Sequence, residues 1–145
     1  MNIPLKDGMD DASYKYIFEP VIKKCVEVFQ PGAIVLQCGA ASVTGDRLGC
    51  FNMSLHGHAN CVAFGRTLRI PRTWAYETSV LLNKEVDNNI PYNNFIEWYA
   101  PTYQLHLTPT NMENKNSHEY LDNLLCVLRG RVTCSRDVTE HLRAI

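Results

Sequence analysis

The chain has 145 residues, 46% of them hydrophobic and 20% charged, with a formal net charge of -1. That length suits one domain, which at this size buries about 68–70% of its extended-chain surface. The charge balance lacks the basic excess of a direct nucleic-acid binder, no apolar run approaches the ~20 residues of a bilayer span, and the polar start MNIPLKDGMDD is no signal peptide.

Residues 1–12 read as a loop, broken by Pro4, Gly8 and the aspartates 7, 10 and 11. Asp11 or Ser13 is the candidate cap of a helix over 12–29. In it Ile17, Phe18, Val21, Ile22, Cys25, Val26 and Phe29 recur at helical spacing. Pro20 inside the pattern kinks or splits that helix. Pro31 and Gly32 make a turn, and Ala33, Ile34, Val35 and Leu36 form the continuous apolar run of a strand buried on both faces. Helix, turn and buried strand in this order mean α/β. In open α/β sheets ligands bind beyond the carboxyl ends of the strands, which makes the loop Gly39–Gly49 the candidate site.

Past the loop, a helix starts near Gly57 and another covers about 74–84. A polar loop over 85–95 leads to a short helix through Phe95, Trp98 and Tyr99 that Pro101 ends. A brief strand is expected over 104–107, then an Asn-rich surface loop in which His118 and Glu119 are simply solvated. Leu121, Leu124, Leu125 and Leu128 share one face of a last helix. Residues 129–145, with Arg129, Arg131 and Arg136, read as a partly ordered, divergent tail after a domain over 1–128. The cysteines 25, 38, 50, 61, 126 and 134 read as reduced thiols of a cytosolic or nuclear protein. Cys50, His56, His58 and Cys61 could together bind zinc, but their spacing fits no standard finger, and buried thiols with surface histidines is the competing reading.

The segment LQCGAASVTGDRLGCFN resembles the part of class I histone deacetylases that follows a core strand and supplies a zinc-binding aspartate. IPLKDGMDDASY, FQPGAIVLQCG, GHANCV, WAYETSVLL, IPYNNF and YAPTYQLHLTPTNMENKNSHEYLD extend the resemblance over roughly residues 2–123, in the family's order. The resemblance implies an arginase-like parallel-sheet sandwich, here partial, without its N-terminal strands and one late strand. It implies a parental activity, hydrolysis of acetyl-lysine on histone tails for transcriptional repression in the nucleus. The cofactor is a zinc ion held by two aspartates and a histidine, with histidines as general base and acid and a tyrosine for the oxyanion. Arg47 matches an arginine that contacts an inositol phosphate bridging to a corepressor; the alternative is an Asp46–Arg47 pair stabilising the loop. Leu48 matches a leucine at the rim of the acetyl-lysine tunnel; the alternative is ordinary packing.

Three departures set the expectation for activity. Ala41 occupies the family's aspartate ligand position, and a methyl group cannot coordinate a metal. The other two ligands and the paired histidines belong to family sequence that precedes Met1. Between FGRTLRIP and Arg72-Thr73-Trp74 the family has a strand, four glycines and the catalytic tyrosine, and Tyr76 does not replace that tyrosine. No catalytic residue, metal ligand or cofactor is therefore expected for this chain, and it reads as a truncated pseudoenzyme. Corepressors or full-length deacetylase subunits are its expected partners, with histone tails by family descent alone. The alternatives are a non-catalytic corepressor-binding module, or the product of a degenerate gene copy or faulty gene model.

Overall fold

The computed structural model describes residues 2–35, 39–46, 48–59 and 70–143, with the backbone alone at 40, 70 and 133–143. Among them are four α-helices: α1 (Asp11–Phe29), α2 (Leu55–Ala59), α3 (Ile70–Leu81) and α4 (His118–Arg143). Two 3-10 turns, Ala40–Ser42 and Ile96–Tyr99, lie between them.

The cap of α1 is Asp10, not Asp11 or Ser13. Asp10 is extended and its carboxylate accepts from the Ser13 N–H at 2.9 Å. Burial pushes the Asp10 carboxyl up, but hydrogen bonds from Ser13, Asn114 and Ala12 outweigh it and hold the group below the usual range. Asp11 is committed elsewhere, accepting from the Ser54 N–H at 2.8 Å and from the Ser54 hydroxyl. The helix runs through Pro20 as one element and ends at Gln30, whose left-handed backbone (φ 45°) lets its N–H donate to Val26.

α1 packs on α4. Ile17 and Val21 from α1 meet Leu121, Leu125 and Leu128 from α4, with Met9 completing the core. The i, i+4 and i, i+7 spacings place each set on one face. α4 continues as helical backbone through Arg143, past residue 128, where the sequence pattern fades. A second, smaller core joins Val43, Leu55 and Leu105, with Tyr76 against it.

The expected strand is absent at 33–35, which carry no regular structure, and Val35 is 95% exposed; Leu36 lies outside the described residues. A strand buried on both faces needs paired neighbours and covering layers, and neither is present among the described residues. Extended pairing there is limited to two isolated bridges, Val43 with Met53 in parallel and Asn89 with Gln104 antiparallel. The latter is all that forms of the strand expected over 104–107. α3 begins at Ile70, earlier than its apolar pattern suggests, with Pro71 in the first turn where a missing N–H costs nothing. No helix among the described residues is long and apolar enough to cross a membrane.

Candidate functional site

The loop 39–49 is shaped by its own backbone. Ser42 donates from Oγ to the Gly39 carbonyl at 3.0 Å. Asp46 Oδ1 accepts from the N–H groups of Leu48 at 2.8 Å and Gly49 at 3.2 Å. Gly49 has no substitute, since a Cβ there would lie 1.7 Å from the Ala41 carbonyl oxygen. Ala41 itself sits exposed in the 3-10 turn. Leu48 is 84% exposed and so takes no part in the packing offered as its bland alternative. Arg47, and with it both readings of that residue, lies outside the described residues.

Behind this loop, α2 and α3 are joined by polar groups. His58, on α2, is 2% exposed; its Nδ1 lies 2.9 Å from Glu77 Oε1 and its Nε2 3.2 Å from the Gly39 carbonyl. Both ring nitrogens therefore have a polar partner inside the fold. Glu77, on α3, is also buried. This pair ties the candidate loop to α3 through the Gly39 carbonyl.

His56, two residues earlier and so on the other side of α2, is exposed. Tyr76 Oη and His56 Nδ1 are 2.5 Å apart. His56 stacks on His106 with ring centroids 4.5 Å apart and planes 10° from parallel, while Tyr76 meets both rings edge-on. His106 Nδ1 is buried without a partner among the described residues. Burial and then the nearby His56 hold the His106 ring below its ordinary pKa.

The expected reading of buried thiols and surface histidines is thus corrected at two positions. His58 is buried because α3 closes over it with a matching carboxylate. Cys50 is exposed and unbridged, beside Asp7; burial first and then that carboxylate push its thiol up, which disfavours the thiolate that binds metal. Cys61 lies outside the described residues. No three His, Cys, Asp or Glu side chains converge to hold a metal ion among the described residues.

The His58–Glu77 contact of α2 with α3 joins the GHANCV and WAYET segments, and the family model that matches residues 1–78 is described as "Histone deacetylase domain". The chain belongs to this family. It is 48% identical over 139 residues to "Type-1 histone deacetylase 1" of Dictyostelium discoideum and 49% identical over 140 residues to "Histone deacetylase RPD3" of Saccharomyces cerevisiae. Identity to "Histone deacetylase 1" of Homo sapiens is 46% over 139 residues. Each alignment takes in 86% of this chain but only 28%, 32% and 29% of the respective relative. The chain therefore spans less than a third of the length of these relatives. Membership implies the family's α/β class, of which the described residues form the helices α1 to α4.

Zinc, the metal this family implies, does not fit the residues described. The described residues bring together no donor set for it, and the buried imidazole and carboxylate behind the loop, His58 and Glu77, are bonded to each other. Sequence reasoning missed that pair. The available signal was the coincidence of a histidine in GHA with a glutamate in WAYET, both within otherwise apolar helix faces.

Proposed function

We propose that this chain is the later part of a class I-type histone deacetylase domain, derived from a parental acetyl-lysine hydrolase, and that it does not hydrolyse acetyl-lysine by itself. The observation that carries this reading is Ala41 in the turn Ala40–Ser42. Deacetylation of this kind needs three protein ligands around an open zinc position, and losing one ligand is severe. Leu48, standing free at the edge of the loop, supports its reading as a tunnel-rim leucine. Arg47 keeps its reading as an inositol-phosphate contact. A partial parallel-sheet sandwich, a nuclear location, repression of transcription, and an association with corepressors and histone tails follow by descent. The test is turnover of an acetyl-lysine peptide by purified chain with added zinc. No turnover is expected; zinc-dependent turnover that a hydroxamate suppresses would refute the proposal.

A non-catalytic binding module is the second reading. Exposed Ile34, Val35, Leu81 and Leu82 favour it, since an apolar surface of this kind is normally covered. A pulldown that retains no deacetylase-complex subunit would count against it.

A further inference from the structure

His56, Tyr76 and His106 come from α2, α3 and the segment 104–107, and their rings meet in one cluster. We propose that this cluster is a proton-operated latch. It stays closed while both imidazoles are neutral, and protonation in mildly acidic solution opens it, freeing the segment 104–107 from α2 and uncovering Val43 of the loop 39–49.

The closed arrangement suits neutral rings. His56 and His106 lie face to face, with centroids 4.5 Å apart and planes 10° from parallel. Two imidazolium ions at that separation repel. A proton on His106 meets a second obstacle. In the neutral ring one nitrogen carries no hydrogen, whereas in the imidazolium both donate. His106 Nδ1 is buried without a partner among the described residues, so in the charged ring it becomes a buried donor with no acceptor. The groups around the ring do not offset this. From α3 Tyr76 meets it edge-on, while Glu77 is engaged with His58. From α2 the facing group is His56, whose Nδ1 lies 2.5 Å from Tyr76 Oη. On the chain side uncharged Asn88 accepts the His106 backbone N–H at 2.8 Å. The depressed pKa of His106, from burial first and His56 second, agrees with this geometry.

What the latch holds is the second core. Leu105, next to His106, is buried with Val43 and Leu55, and its N–H donates to the Asn88 carbonyl at 2.6 Å. Gln104 is exposed, so Leu105 and the His106 ring are the inward anchors of the segment. Once the segment lifts, His106 meets water and regains its ordinary value near 6.5. Its value in the closed state is lower. Closure is therefore favoured above about 6.5 and is lost as the pH falls below it, by up to about tenfold in the opening constant per pH unit for one proton. Val43 belongs to the loop 39–49, so the latch makes that loop sensitive to pH whatever chemistry the loop carries. The inference is independent of the catalytic reading.

The test is amide hydrogen exchange on the full 145-residue chain at pH 7.5 and 5.5, read as protection factors so that the intrinsic effect of pH on exchange cancels. Protection of the Leu105 amide should fall by about tenfold or more at the lower pH. It should not change between 0 and 1 M urea, the mark of a local opening, whereas the Leu125 amide of α4 should lose protection with urea. His106→Phe keeps a stacking ring without a titrating nitrogen, and its Leu105 protection should be nearly the same at both pH values. His56→Phe, at an exposed position, keeps the stack and removes the facing charge; the response should shrink but persist, because burial still acts on His106. His118→Gln, outside the cluster, should leave the response whole. Circular dichroism checks that each variant is folded, and if His106→Phe is not, His56→Phe decides. A full response in either phenylalanine variant overturns the proposal. So does a wild-type chain with no response, or a loss at Leu105 that follows urea as Leu125 does, which would make the event global unfolding.

Discussion

His58 and Glu77 form the pair on which the loop 39–49 leans, and their burial decides what a substitution costs. Removing one member of this buried pair leaves the other without its hydrogen-bond partner, typically at about 1–3 kcal/mol. His58→Ala is therefore expected to lower the urea midpoint far more than the outward-facing Glu19→Ala, whose partner Lys15 is itself exposed. His106 gives the pH dependence. Its folded-state pKa lies below the ordinary 6.5, through burial and then His56. Below about 6.5 the unfolded chain binds more protons than the folded one, so stability falls as pH is lowered through that value and is retained above it. Thermal melts from pH 7.5 to 5 should show this loss, and His106→Gln should flatten the slope. Neither residue's setting was legible in the sequence. His-x-His reads as polar surface until α3 supplies a carboxylate and a phenol, and that packing is a matter of tertiary arrangement rather than local pattern.

At the scale of elements, α1 and α4 were the legible parts, because their apolar residues repeat at 3.6-residue spacing and meet in one core. Leu121→Ala or Leu128→Ala should each cost about 2–5 kcal/mol, since both side chains are fully buried there; chemical denaturation measures it. Asp10→Ala should cost about 0.5–2 kcal/mol through the lost cap, and Asp11→Ala acts elsewhere, on the Ser54 contact at the start of α2. The choice between neighbouring aspartates was illegible because capping depends on backbone angles, which composition does not reveal. The apolar run at 33–35 misled for another reason. Its pattern records the two covered faces of a sheet, while the described residues provide neither neighbour nor cover. The loop 39–49 was singled out because it follows the apolar run at 33–36; its tie to α3 through the Gly39 carbonyl was not legible in the sequence.

For the whole molecule, the unpaired apolar positions set the solution behaviour. Val35, Leu81 and Leu82 lie in water, so the isolated chain should bind a hydrophobic dye and associate as concentration rises. Val35→Lys with Leu82→Lys should reduce both, read by dye fluorescence and light scattering; unchanged values would show that those side chains are not the adhesive ones.

The segment around residue 7 has a further consequence. Asn116 accepts from the Lys6 N–H at 2.7 Å and donates back to the Lys6 carbonyl at 2.9 Å. The Lys115 N–H donates to the Asp7 carbonyl at 3.1 Å. Gly8, with φ +75°, passes so close to Glu113 that a Cβ would stand 1.9 Å from its carbonyl oxygen. These contacts close a ring of about 110 residues around the molecule, and loops of that size are slow to shut. The clasp should therefore form late in refolding and open first under mild denaturant. Amide exchange at Lys6 and Lys115 would then quicken together, ahead of the leucines of α4.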